Sequence, residues 1–352
     1  MVEIAGKRRR CIVMAVTALT LTAAAYSGAP VKLDGGNVQP TDSGTLAAPA
    51  EDAESLLGAD ARVVENTGDL PSPPVDIIEP VDAASAPPSG YGASPSQHPQ
   101  STVVAGAFAG SVLNESFDGK TMTGFGTAII DDDNVYLVSG KGVNGSNAIK
   151  VNYRGNSKGS ERVIVNYKLP RSLQYTLNFD VNFCAGFDFR KGGKLHGLGS
   201  ANPVAGGKEV SPPRWSARSM FRRQGGLQSY IYSQNMKGKY GDVVIAKNFR
   251  FQPGRYYALT LQVVLNNPVA ASNGYMRIFV DGTPVIYHGN IKFRSTESLD
   301  SQISTLMFNT FHGGHAADWA PRNANGSYKV DCAYFDNFAV SPLLEVRYAL
   351  VM

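Results

Sequence analysis

Single-residue alternation of apolar and polar side chains, broken by Gly, Asn and Asp turns, is what most limits the fold of this chain. Tyr175, Leu177, Phe179, Val181 and Phe183 alternate with Thr176, Asn178, Asp180 and Asn182. Leu259, Leu261, Val263 and Leu265 alternate with Thr260, Gln262 and Asn266. A period of two places each set on one face of a strand. Ile278 and Val280 run into Asp281-Gly282, and Val285-Ile286-Tyr287 returns, which is a hairpin signal. Tyr334 to Val340 reads as a closing strand. Amphipathic helices longer than a few turns are not evident. Many antiparallel strands within residues 102–345 predict an all-β domain, a jelly-roll sandwich of two antiparallel sheets.

Two segments before that domain differ from it. Lys7, Arg8, Arg9 and Arg10 precede an apolar stretch from Cys11 to about Ala25, with small-residue cleavage positions at its end. The stretch is shorter than the roughly 20 residues a spanning helix needs. It reads as a secretory leader over residues 1–27, removed on export, after which no membrane association is expected. Residues 28–101 are rich in Pro, Ala, Ser, Gly and acidic residues, as in Leu70-Pro71-Ser72-Pro73-Pro74. Such a composition cannot bury enough apolar surface to fold and predicts a disordered linker or pro-segment.

Without Cys11, two cysteines remain, Cys184 and Cys332. An oxidising compartment permits a bridge between them, but spacing alone does not show that they meet. Asn114-Glu115-Ser116, Asn144-Gly145-Ser146 and Asn325-Gly326-Ser327 are glycosylation sequons.

The net charge of +4 conceals an asymmetry. The first 101 residues hold 6 of the 33 basic and 12 of the 29 acidic residues, leaving 27 basic and 17 acidic in the remainder. A basic domain behind an acidic segment points to a polyanionic partner outside the cell. No nucleic-acid motif is present, and export argues against nucleic acid.

Residues 187–240 carry the chemistry-bearing patterns. Lys191-Gly192-Gly193-Lys194-Leu195-His196-Gly197 is a basic segment whose glycines allow close backbone approach. Taken as a strand, Arg214 to Arg222 places Ser216, Arg218, Met220 and Arg222 on one face, and Trp215, Ala217, Ser219 and Phe221 on the other. After a turn at Gln224-Gly225-Gly226, the residues Gln228, Tyr230, Tyr232 and Gln234 share a face. Each pattern alone is also what an ordinary basic loop or solvated sheet face contains.

Together, Lys194, Ser216-Ala217-Arg218 and Tyr230-Ile231-Tyr232 resemble the active-site pattern of polysaccharide lyase family 14, which contains alginate and glucuronan lyases of jelly-roll fold. Trp215 beside Ser216, Asn273-Gly274 before the Asp281-Gly282 strand, and Thr310-Phe311-His312-Gly313-Gly314 extend the similarity over about residues 114–340. The resemblance implies catalytic roles for Lys194, Ser216, Arg218, Tyr230 and Tyr232. Substrate contacts are expected at Arg222, Gln228, Gln234, Gln262 and His312, the last standing where the resemblance calls for an aromatic residue. The resemblance implies no metal or organic cofactor, an acidic polysaccharide as partner, and action as a monomer.

The residue types suit β-elimination from a uronate. The C5 proton is very weakly acidic while the adjacent carboxylate is ionised, so a cation must stabilise the enolate-like transition state. Arg218 is always charged and binds carboxylates in bidentate fashion, and Ser216 on the same face adds a donor. A base must reach C5 and an acid must reach O4. Tyr232 is favoured as the principal proton-transfer residue, with Lys194 assisting and Tyr230 positioning the sugar, although Tyr232 and Lys194 each suit either role.

Other sites are weaker. His312, His315 and Asp318 are loosely spaced for a metal, and Asp131-Asp132-Asp133 reads better as a polar turn than as a calcium site. Glycoside hydrolysis needs two placed carboxylates, which this face does not offer. A lectin-like module that binds acidic glycans without cleaving them is the alternative.

Overall fold

The computed structural model describes residues 110–347 and the short strand Val63–Val64. The expected leader, and the linker apart from Val63–Val64, lie outside the described residues. In chain order the strands are β1 (Val63–Val64), β2 (Leu113–Glu115), β3 (Val135–Val138), β4 (Ala148–Asn156), β5 (Gly159–Ser160), β6 (Val163–Ser172), β7 (Gln174–Phe183) and β8 (Gly192–Gly199). They continue with β9 (Ser216–Arg222), β10 (Leu227–Tyr232), β11 (Val243–Val244), β12 (Tyr256–Val264), β13 (Gly274–Val280), β14 (Thr283–Ile291), β15 (Ile303–His312) and β16 (Val330–Ser341). One short helix, α1 (Gly124–Ile130), is capped by the Thr123 side chain, which accepts from the Gly126 N–H.

Apart from β1 and β11, which pair with each other, the strands form a five-stranded sheet of order β10-β9-β8-β15-β6 and a nine-stranded sheet built on β14-β13-β12-β7-β16-β4-β3. Pairing within both is antiparallel. This is the expected all-β jelly-roll sandwich. The inward residues are those the alternation picked out. Leu177, Phe179, Val181 and Phe183 of β7, Leu259, Leu261 and Val263 of β12, and Ala217 and Phe221 of β9 share one core with Trp215. Trp215 is fully buried and donates its Nε1–H to the Ser301 carbonyl, so it packs the core and is not a sugar platform. Asp281 and Gly282 adopt φ of 50° and 80° between β13 and β14, as the hairpin signal requires. Asp132 accepts from the Asn134 N–H in a polar turn before β3.

Cys184 and Cys332 are disulfide-bonded across neighbouring β7 and β16, with Cα atoms 5.4 Å apart. The bridge ties the end of β7 to its neighbour β16 in the larger sheet.

Candidate active site

The site is built on the face of the five-stranded sheet that points away from the core. Strand β8 lies between β9 and β15. Gly193 makes that closeness workable, because a Cβ there would stand 2.1 Å from Phe221 Cζ and 2.3 Å from the Phe311 carbonyl. At Gly197 a Cβ would meet the Arg218 Cα at 2.5 Å and its Cγ at 2.8 Å. The Arg218 stem therefore occupies the space that the glycine leaves. Between these glycines the register slips: Lys194 pairs with Met220, but Gly197 pairs with Arg218. One extra residue in β8 forms a bulge, and a bulge re-aims side chains. Leu195 joins the core, and His196 also packs inward against Phe308 and Phe335. Lys194 is left on the outer face.

Four of the expected residues meet there. The Lys194 ammonium nitrogen lies 4.1 Å from the centre of the Tyr230 ring, and the Arg218 guanidinium carbon lies 5.5 Å from the same centre. The Tyr230 and Tyr232 hydroxyls are 3.2 Å apart. Tyr230 pairs with Arg218 across β10 and β9, and Tyr232 pairs with Ser216, so the hairpin register brings phenols and cation together. Tyr232 is fully buried, and its hydroxyl accepts the Gly207 N–H at 2.8 Å from the loop that joins β8 to β9.

Arg218 is buried, with 2% of its surface exposed. Its Nη1 donates to Asn309 Oδ1 at 3.4 Å, but Nε and Nη2 have no acceptor among the described residues. The Asn309 Nδ2 is unpartnered as well. A buried guanidinium with unmet donors is costly unless an anion completes it. Burial, followed by the Arg218 and Arg162 charges, holds the Lys194 amine well below its ordinary basicity. Burial and then the Tyr232 neighbour push the Tyr230 phenol above its ordinary value. One group is thus made readier to be neutral and the other readier to keep its proton.

The remaining expected residues fall in different places. Arg222 and Gln228 lie at the turn end of the same face, joined by an Arg222 Nη1 to Gln228 Oε1 bond of 2.7 Å. Ser216 sits on the expected face but donates its only hydroxyl proton to the Val204 carbonyl at 2.6 Å. In this arrangement it holds the covering loop. Gln234 lies past the end of β10, where its amide donates to the Arg214 carbonyl. It lines a separate cavity of about 330 Å³ with Lys208, Glu209 and Lys239.

Two expectations are corrected. Gln262 is on β12 of the nine-stranded sheet, between inward Leu261 and Val263, and donates to the Glu345 carbonyl. It faces away from the smaller sheet. His312 is fully buried between the sheets, stacked on Phe187 at 5.2 Å and bonded through Nε2 to the Asp188 carbonyl at 2.7 Å. Burial lowers it to about 4. Outward positions on β15 are instead Asn309 and Phe311, which the sequence reading missed. Met220 was also missed as a partner: its sulfur accepts from Lys194 Nζ at 3.1 Å and from Gln228 Nε2 at 3.3 Å.

Comparison with known proteins gives the same architecture. The family model described as "Polysaccharide lyase 14" matches residues 141–337. A solved alginate lyase in complex with an alginate tetrasaccharide superposes with a TM-score of 0.55 at 20% identity, over 68% of this chain and 99% of that one. The marine PL-14 alginate lyase from Aplysia kurodai superposes with a TM-score of 0.50 at 21% identity, over 65% and 98% respectively. No curated protein sequence matches.

Proposed function

This chain belongs to polysaccharide lyase family 14, and from that premise we propose that it cleaves a 4-linked uronic-acid polysaccharide, alginate or glucuronan, by β-elimination outside the cell. The observation that carries the proposal is that an amine and a buried, incompletely bonded guanidinium flank one phenol ring on a single sheet face. A solved protein of the same fold holds an alginate tetrasaccharide, which supports a uronan. Export is supported by the basic and apolar leader pattern of residues 7–25 and by the Cys184–Cys332 disulfide, a bond suited to an oxidising compartment.

In this mechanism the uronate carboxylate takes the free Nε and Nη2 donors of Arg218, which offsets the charge that develops as C5 loses its proton. The Lys194 amine, whose basicity burial and the neighbouring cations lower, accepts that proton. The C5–H electron pair becomes the C4=C5 double bond as the C4–O4 bond breaks. The Tyr230 phenol, which burial keeps protonated, gives its proton to the departing O4. Tyr232 fixes the Tyr230 hydroxyl and is itself fixed by Gly207. The proton on Lys194 then restores the Tyr230 phenol. This division differs from the sequence expectation that Tyr232 leads, because Lys194 and Arg218 both flank the Tyr230 ring, whereas Tyr232 is fully buried.

The test is the ultraviolet absorbance of unsaturated uronates released from alginate, polymannuronate, polyguluronate and glucuronan. Arg218→Ala and Tyr230→Phe are each expected to lower kcat by roughly 10² or more. Full activity in both variants refutes the assignment. Polymer binding without unsaturated product from the wild-type protein selects a lectin-like module.

A further inference from the structure

The sheet register continues the site beyond Lys194, Arg218 and the two phenols. Gln228 pairs with Met220, Met220 with Lys194, and Lys194 with Phe311. Val163 pairs with Thr310, so antiparallel geometry sets Arg162, the residue before β6, opposite Phe311. A straight row therefore crosses all five strands and ends on a cation. At two strand spacings, Arg162 stands roughly 10 Å from the Lys194 backbone, about the reach of a disaccharide.

Arg162 is held in place and also available. Its guanidinium carbon lies 4.7 Å from the Phe311 ring centre, and its Nη2 donates to the Gly314 carbonyl at 2.9 Å. The side chain is exposed, and no described carboxylate pairs with it. The charge is near enough to lower the basicity of Lys194. Gly313 adjoins both cations, since Arg162 donates to the carbonyl of the next residue, Gly314. A Cβ there would sit 3.7 Å from the Lys194 nitrogen and clash with nothing. The absence of a side chain at 313 leaves the space beside them clear.

We propose that Arg162, seated on Phe311, is a carboxylate subsite for a second uronate of the same polymer, so that the chain lies across the strands of the five-stranded sheet. The proposal rests on the lyase chemistry above and adds to it a direction for the polymer and a requirement for charge on a sugar that does not react. A polymer with uronates only at the cleaved position would lose this contact.

Two full-chain variants test it. Arg162→Gln removes the charge and keeps a polar side chain. Gly313→Leu places bulk beside the cations at a position without backbone strain. Arg162→Gln is expected to raise KM for the uronan about tenfold at low salt, by loss of a charge-assisted contact. The difference from wild type should shrink as salt screens the contact. Each protein is compared at the plateau of its own pH profile, because losing Arg162 also raises the basicity of Lys194. Gly313→Leu is expected to lower kcat/KM more on polymer than on the shortest oligomer cleaved. Equal KM values for Arg162→Gln and wild type overturn the subsite. Affinity electrophoresis through gels containing the same uronan reads the subsite without chemistry. If wild type yields no unsaturated product, the lyase reading fails. The subsite still stands if Arg162→Gln is less retarded than wild type, and falls if the two migrate alike.

Discussion

His196 offers the sharpest physical test of the fold, because the bulge that re-aims Lys194 also drives an imidazole into the core. The ring is fully buried, stacks on Phe308 at 4.2 Å, and meets Phe179 and Phe335 edge-on at 4.7 Å each. Neither ring nitrogen has a hydrogen-bond partner among the described residues. Burial holds its pKa well below the ordinary value. The sign follows from linkage. As pH falls through about 6.5, the unfolded chain binds a proton that the folded state refuses. Folding therefore loses about 1.4 kcal/mol per pH unit below that point, until the depressed folded pKa is reached. Between about pH 7.5 and about pH 5.5 the loss from this residue is about 1.4 kcal/mol. Leucine at 196 abolishes the titration. His196→Leu also changes packing, but that offset is independent of pH and cancels when each protein is compared with itself. His312, lowered to about 4, and Asp336, raised to about 6, titrate in both proteins and drop out of the difference. Urea unfolding of both proteins at the two pH values gives the number. Wild type should lose about 1.4 kcal/mol more than the variant on acidification. An identical loss in both would mean that the folded state accommodates the imidazolium, contrary to the apolar surroundings described.

Two further outcomes follow from the architecture. The disulfide links residues 148 apart, and loop-closure entropy for a ring of that size corresponds to about 5 kcal/mol. The double variant Cys184→Ser with Cys332→Ser should lose most of that in urea unfolding, and a loss below about 1 kcal/mol would show that the bridge adds little to the folded state. Gln262→Ala should leave KM for the polymer within about twofold of wild type, because Gln262 belongs to the other sheet and faces away. A severalfold rise would place substrate on that face.

What could be foreseen depended on whether period two had a phase. In β7 and β12 the polar and apolar sets separate cleanly, and their faces were legible. In β9 and β10 the charged, sulfur-bearing and phenolic residues fall on one parity, so Arg218, Met220, Tyr230 and Tyr232 could be grouped on one face from sequence. In β15, Leu306, Met307, Phe308 and Phe311 occupy both parities, and the strand is buried throughout. Its alternation carries no phase, so the inward placing of His312 is not legible from it. For Gln262 the outward parity was legible, but parity does not say which sheet a strand joins. Ser216 and the cysteine pairing depended on contacts 12 and 148 residues away, which local pattern does not encode.

The proposed chemistry and the cover over it have one physical origin. In water a lysine and a tyrosine titrate at nearly the same point, about 10.4 and about 10. Such a pair has no built-in direction for proton flow. Removing both from water acts oppositely on them, because the charged form is the acid of one and the base of the other. Here burial is the largest influence on both: it lowers Lys194 and raises Tyr230. Arg218 lowers Lys194 further, by like-charge repulsion, and also opposes the rise at Tyr230. The asymmetry at Tyr230 therefore depends on exclusion of water. The loop that bonds Tyr232 through Gly207 and Ser216 through Val204 is part of that exclusion. A site that stayed open to solvent while reacting would return both groups toward their common value, and the separation of base from acid would vanish with the cover.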